Sequence, residues 1–254
     1  LDRLRRHGYA PFHVAVLHGG PGAPGSAYGL AKGLGEFCGV VEPFQTTFDV
    51  EGLLAELHDQ VRKSLDLPAI LIGHSWGAWL GFLFAAKHPT LVQKLILVSS
   101  GPFDESYVPM ITKTRLERLG PEGRKLFEGL LKGGLSDAQM KKVGEHVARA
   151  DAYDPLPPDA EEKTPPNAAQ YESVWGQASA MRQSGVLLDA AQFIRCPVVA
   201  IHGDWDPHPA EGVRVPLEKA LKDFKMVLLE KCGHEPWRER QAREAFFRAL
   251  HREI

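Results

Sequence analysis

The chain has 254 residues, 44% of them hydrophobic and 24% charged, with a formal net charge of -2. That length buries a substantial core and fits one large domain with room for an insertion. A near-neutral balance with no long run of one sign excludes the charge footprint of a nucleic-acid binder or a membrane-surface protein.

The longest apolar run, residues 76–86, is too short to cross a bilayer. Residues 1–8 are basic with no apolar stretch behind them, so no secretory signal is expected. Cys38, Cys196 and Cys232 are odd in number and lack metal-ligand spacing. They read as reduced thiols of a cytoplasmic protein.

Residues 12–17 form the first expected strand, with Val14, Val16 and Leu17 as apolar members. It runs into His18-Gly19-Gly20-Pro21-Gly22, a tight turn with bare backbone N–H groups. Such a turn suits an oxyanion hole, to which Gly20 would contribute its N–H. A short helix is expected over 26–37, a strand over 38–44, and a helix over 49–65. In that last helix Val50, Leu53, Leu54, Leu57, Val61 and Leu65 share one face, and Thr47 or Asp49 suits its N-cap.

Residues 68–87 read as strand, sharp turn and buried helix. Ala69 to Ile72 are apolar without alternation, as in a strand covered on both faces. Gly73-His74-Ser75-Trp76-Gly77 follows, a Gly-x-Ser-x-Gly nucleophile elbow. Serine sits on strained backbone at the tip, and the flanking glycines let helix and strand pass without a Cβ clash. The N–H of Trp76 would complete the oxyanion hole.

A strand over 93–98 is followed by a change of character. Charged helical segments over 106–119, 122–132 and 136–150, a proline-rich acidic loop over 151–166 and a helix over 167–183 succeed one another without a strand. The sheet resumes at 197–201, followed by His202-Gly203-Asp204-Trp205-Asp206-Pro207, and again at 225–229, followed by Gly233-His234-Glu235-Pro236. A closing helix is expected over 236–250. Alternating strands and helices predict a mostly parallel sheet covered on both faces, with these loops along one edge.

The pair His18-Gly19-Gly20-Pro21-Gly22 and Gly73-His74-Ser75-Trp76-Gly77 resembles the α/β-hydrolase fold, and within it most closely the proline iminopeptidase branch. The resemblance implies an α/β class with sheet order 4-3-5-6-7-8 in the family's strand naming. Residues 1–101 and 192–254 would form the core, and 102–191 a helical cap. Only about a dozen residues precede Phe12, too few for the family's first hairpin. The strand over 38–44 would then be a bare edge, open to a homodimer contact or to cover by the N-terminal segment. A second departure is Gln45-Thr46-Thr47-Phe48, where iminopeptidases carry an Asp-Gln-Arg-Gly-type loop.

In this fold nucleophile, acid and base follow in the order serine, acid, histidine. Ser75, Asp206 and His234 satisfy it, with Asp204 the alternative acid. His202 and His208 beside these aspartates could suggest a metal site, but no paired ligand spacing supports one and the serine chemistry needs no metal or cofactor. His18 and His74 read as turn-holding side chains. The implied activity is hydrolysis of a small ester or an N-terminal peptide bond through an acyl-enzyme. The other class open to the chain is a non-catalytic ligand-binding protein of the same fold. Iminopeptidases hold the substrate amine with cap carboxylates, for which Glu161, Glu162 and Glu172 are the candidates. Trp175 and Trp205, with Phe103 and Tyr107, are candidates for an apolar substrate pocket.

Overall fold

The computed structural model describes residues 3–157 and 165–254. Seven strands form one sheet: β1 (Leu4–His7), β2 (Phe12–Leu17), β3 (Gly39–Pro43), β4 (Ala69–His74), β5 (Val92–Val98), β6 (Val198–Gly203) and β7 (Phe224–Leu229). Their order is β1-β3-β2-β4-β5-β6-β7. From β3 to β7 every neighbour is parallel, in the expected order.

β1 is an addition that apolar patterning does not reveal. It pairs antiparallel with β3, so the edge over 38–44 is not bare. Its sequence, Leu-Arg-Arg-His, carries no apolar alternation. Besides the antiparallel ladder, polar contacts hold it: Arg5 Nη1 and His7 Nε2 lie 3.4 and 3.2 Å from Oε2 of Glu42, fully buried in β3.

Consecutive residues of the central strands feed opposite faces. Ile70, Ile72, Ile96, Val98, Val199 and Ile201 pack with α1 (Tyr28–Leu34) and α10 (Arg243–Glu253). Leu71, Leu95, Leu97 and Ala200 pack with α2 (Val50–Ser64) and α3 (Trp76–Lys87). Asp49 caps α2, accepting from the N–H of Gly52 at 2.8 Å. α3 is buried on nearly every side, which is why its sequence lacks a polar face.

Between β5 and β6 the chain forms a helical insertion: α4 (Val108–Arg118), α5 (Pro121–Lys132), α6 (Asp137–Ala150), α7 (Ala168–Gln183) and α8 (Val186–Asp189). α7 is not a separate body. Its Val174 and Ala178 join the main cluster beside α3. α5 and α6 instead share a small cluster of Leu119, Phe127 and Ala150.

Two boundaries differ from the sequence pattern. A helix, α9 (Glu211–Ala220), follows β6 despite Pro216 within it. The closing helix starts at Arg243 rather than Pro236, because Pro236–Arg238 is a single 3-10 turn and Glu239 turns inward, 1% exposed.

Candidate active site

β2, β4, β6 and β7 end at the same edge of the sheet, and each is followed by a loop the sequence singled out. At the end of β4 the elbow has the geometry its glycines imply. Ser75 sits at φ 54°, ψ -115°, a region unfavourable for a non-glycine residue. A Cβ on Gly73 would lie 2.1 Å from the carbonyl oxygen of Gly77, and one on Gly77 2.4 Å from that of Leu17. Both positions must therefore be glycine for β4, α3 and β2 to meet at this point.

The turn after β2 lies alongside. Gly20 has φ 111°, and Gly20-Pro21 is cis. Gly19 N–H donates to Ser26 Oγ at 3.0 Å, and His18 Nδ1–H donates to the Gly19 carbonyl at 2.7 Å. Among the described residues neither the Gly20 nor the Trp76 N–H has a backbone acceptor. That of Trp76 opens α3, where no intrahelical carbonyl can reach it.

The acid and the imidazole meet across 28 residues of sequence. His234 Nδ1–H donates to Asp206 Oδ2 at 2.8 Å. Asp204 is excluded as this partner: it is exposed and accepts from the Cys232 N–H at 3.2 Å, closing the turn before His234. The histidine loop is tied to the elbow by the residue next to Ser75, since His74 Nε2–H donates to the His234 carbonyl at 3.0 Å. With Nδ1 committed to Asp206, Nε2 is the nitrogen left for a serine proton. Among the described residues Ser75 Oγ has no hydrogen-bond partner, and catalytic hydrogen bonds are often long or poorly aligned in unliganded sites.

Asp206 has more partners than sequence order foretells. Its Oδ1 accepts from the backbone N–H and from Nδ1–H of His208, at 2.9 and 2.8 Å. The His208 ring stacks on His234 with centroids 4.5 Å apart. His202 Nε2 lies 3.6 Å from Oδ2 and donates to the His208 carbonyl at 2.7 Å. In the sequence His208 stands out only beside His202 and the two aspartates, as part of a metal site that no paired ligand spacing supports; its contact with Asp206 is not foreseen there. Asp206, His208 and His234 do set ligand-type atoms within 4.8 Å of one another. Both carboxylate oxygens nevertheless accept from the two imidazole N–H groups.

Burial alone would raise the Asp206 pKa. The charges of His234, His208 and His202 outweigh it and hold the carboxyl well below the ordinary carboxylate range. Burial opposes charging of His234 too, but the Asp206 carboxylate more than compensates and raises its pKa above the ordinary histidine value. His208 shares the same carboxylate, yet burial dominates and pushes it down to about 4. Burial and the nearby His234 charge likewise depress His74. Within the cluster the carboxylate thus favours the charged form of His234, while burial disfavours that of His208 and His74.

The proposed substrate contacts fare differently. Trp175 is half-buried and stacks on Trp79 of α3, centroids 5.7 Å apart and planes 4° from parallel. Phe103 is buried against Phe82 and Trp79. Trp205 is exposed, and the Arg118 guanidinium lies over its ring at 4.1 Å, a latch between α4 and the acid loop. Glu172 is exposed and accepts from the Gly134 N–H at 3.3 Å. Glu161 and Glu162 lie outside the described residues.

The insertion touches the site loops on two sides. Asn167 N–H donates to the Gly22 carbonyl at 2.8 Å, and His234 N–H donates to the Asp151 carbonyl at 3.1 Å. No helix among the described residues is long and apolar enough to cross a membrane.

Comparison with known proteins agrees with this fold. A pimeloyl-[acyl-carrier protein] methyl ester esterase of Neisseria meningitidis serogroup A is 28% identical over 199 residues, 77% of this chain. The chain spans only 59% of that esterase's length. A probable proline iminopeptidase of Streptomyces coelicolor is 25% identical over 87% of this chain and 82% of its own. The crystal structure of VinJ superposes with a TM-score of 0.69 at 18% identity, covering 98% of this chain and 93% of that one. Residues 1–249 match the model of the Alpha/beta hydrolase family. With its sheet order, its elbow and the family match in agreement, the chain belongs to the α/β-hydrolase family.

Proposed function

We propose that the protein is a serine hydrolase working through an acyl-enzyme, with Ser75 as nucleophile, His234 as general base and Asp206 as its orienting acid. The observation that carries this is the 2.8 Å bond from His234 Nδ1–H to Asp206 Oδ2, set beside a serine on strained backbone. Ser75 Oγ attacks the substrate carbonyl while His234 Nε2 takes its proton. The N–H groups of Gly20 and Trp76 receive the oxyanion. His234 then protonates the leaving group, and water repeats the cycle to free the acid product. No cofactor enters this chemistry.

The helical insertion acts as a cap over the site, and the half-buried Trp175 supplies apolar surface at its base. A small carboxylic ester is the substrate class that fits best, because the Glu172 carboxylate is exposed and already bound by Gly134. Cleavage of an N-terminal peptide bond is the second reading, supported by similarity to the Streptomyces iminopeptidase over most of this chain.

A fluorophosphonate probe tests the mechanism. Covalent labelling confined to Ser75, and lost in Ser75→Ala, is expected; an unlabelled Ser75 in folded protein refutes the assignment. Turnover of p-nitrophenyl esters against aminoacyl anilides then chooses the substrate class, with faster ester hydrolysis expected.

A further inference from the structure

Glu239 is a buried carboxylate that the hydrolytic mechanism does not use. It is 1% exposed, and three backbone N–H groups converge on it. Oε1 accepts from Gly233 at 2.9 Å and from Tyr153 at 2.8 Å, and Oε2 accepts from Asp154 at 2.7 Å. Gly233 immediately precedes the candidate base. Tyr153 and Asp154 belong to the insertion, about 80 residues away in sequence.

The contact extends on either side of Glu239. Leu156 N–H donates to the Arg238 carbonyl at 2.6 Å, Arg240 N–H to the Asp154 carbonyl at 3.0 Å, and Pro155 bridges antiparallel to Glu239. At the other end His234 N–H donates to the Asp151 carbonyl at 3.1 Å. Asp151 is itself gripped by Arg115 of α4, whose Nε lies 3.0 Å from Oδ1. Residues 151–156 thus form a strap laid across the histidine loop. The approach is close enough to fix residue identity: a Cβ on Gly233 would lie 2.2 Å from the Asp151 carbonyl oxygen and 2.5 Å from Glu239 Oε1.

We propose that Glu239 is a positioning residue that fastens the insertion's 151–156 strap to the Gly233-His234 loop, so that the imidazole is placed by the insertion as well as by the sheet. The proposal rests on His234 being the base. Displacing that ring by a fraction of its reach to Ser75 lowers the chemical step without touching substrate binding. The strap and the histidine loop then open and close as one unit, and an insertion that swings away takes the base out of register.

Amide hydrogen exchange on the wild-type protein is the first test. The amides of Tyr153, Asp154, Gly233 and His234 are expected to share one opening rate; four independent rates overturn the proposal. Glu239→Gln keeps the shape and removes the charge. It is expected to speed exchange at all four amides together, leave β4 amides unchanged, and lower kcat for a p-nitrophenyl ester about tenfold with KM within about twofold. Unchanged kcat, or a loss confined to KM, overturns it. Should the variant not fold, the wild-type exchange pattern still decides. Fluorophosphonate labelling of wild-type Ser75 separates the two readings: no labelling refutes the nucleophile, while the exchange pattern judges the strap independently.

Discussion

Phe82 in α3 and Phe127 in α5 are both buried, but in different company. Phe82 lies in a cluster that gathers a face of the sheet, α2, α3 and parts of α7, α8 and α9. Phe127 shares its cluster with only two other buried residues, Leu119 and Ala150. The sheet region is held mainly by apolar packing, and within the insertion α7 shares that core through Val174 and Ala178 and adds polar ties to it, whereas α5 and α6 pack on each other. Gln170 Nε2 donates to the Thr47 carbonyl at 2.8 Å, Ser173 Oγ–H to the Phe48 carbonyl at 2.6 Å, and Val50 N–H to Gln177 Oε1 at 3.1 Å. Apolar packing is non-directional and fixes a rigid platform. Hydrogen bonds are directional and individually modest, so these ties orient α7 on that platform more than they stabilise it.

The largest expected effect separates chemistry from both regions. Ser75→Ala should lower kcat about 10⁴-fold or more on any turned-over ester. Thermal unfolding followed by circular dichroism should stay near wild type, since the half-buried hydroxyl bonds to nothing in the resting site.

Next comes a direct contrast of the two cores. Phe82→Ala should cost about 3–5 kcal/mol in urea unfolding, because the closely packed neighbours around α3 cannot collapse into the cavity. Phe127→Ala, in a three-residue cluster near the surface, should cost about half as much. Equal costs would show that α5 and α6 are as firmly built as the sheet.

Acid sensitivity should come from the site. Above pH 6.5 His208 is neutral in both folded and unfolded chains. Between 6.5 and about 4 only the unfolded chain takes the proton, so stability falls with falling pH, and below about 4 the loss levels off. Over that window His208 alone accounts for about 3 kcal/mol. Depressed His18 and His74 add to the slope. His234 works the other way: its contribution is full below 6.5 and is lost as pH rises through its raised folded value. Urea midpoints from pH 7 to pH 4 should show the net fall, and His208→Gln should flatten it. In kinetics the acid limb of kcat/KM should lie above pH 6.5, and Asp206→Asn should move it down.

The smallest expected effect is at the latch. Arg118→Ala removes the guanidinium from the Trp205 ring and a 2.8 Å bond to the Trp205 carbonyl. In this half-exposed setting it should cost about 0.5–1 kcal/mol. Trp205 fluorescence should shift as the ring gains solvent.

Legibility in the sequence follows the same division. Ile70-Leu71-Ile72 announces a strand covered on both faces, and Gly73 and Gly77 announce an elbow, because each requirement is local and steric. The meeting of Asp206 and His234 was readable from their places after strands, and Ser75 from its elbow. The β1 edge was not, since its partner Glu42 lies 35 to 38 residues away and no apolar period marks it. His208 was visible only as a neighbour of Asp206, and two imidazoles sharing one carboxylate is a three-dimensional fact.

By itself the sequence determined the order of the sheet from β3 to β7, the helices that flank it and the elbow that strains Ser75, because short-range sterics and hydrophobic periodicity act along the chain. Tertiary structure decided which aspartate serves His234, where Glu172 and Trp205 point, and that Glu239 grips both the insertion and the histidine loop. Those outcomes depend on directional bonds between groups brought together only after folding, and no period or spacing in the chain encodes a direction in space.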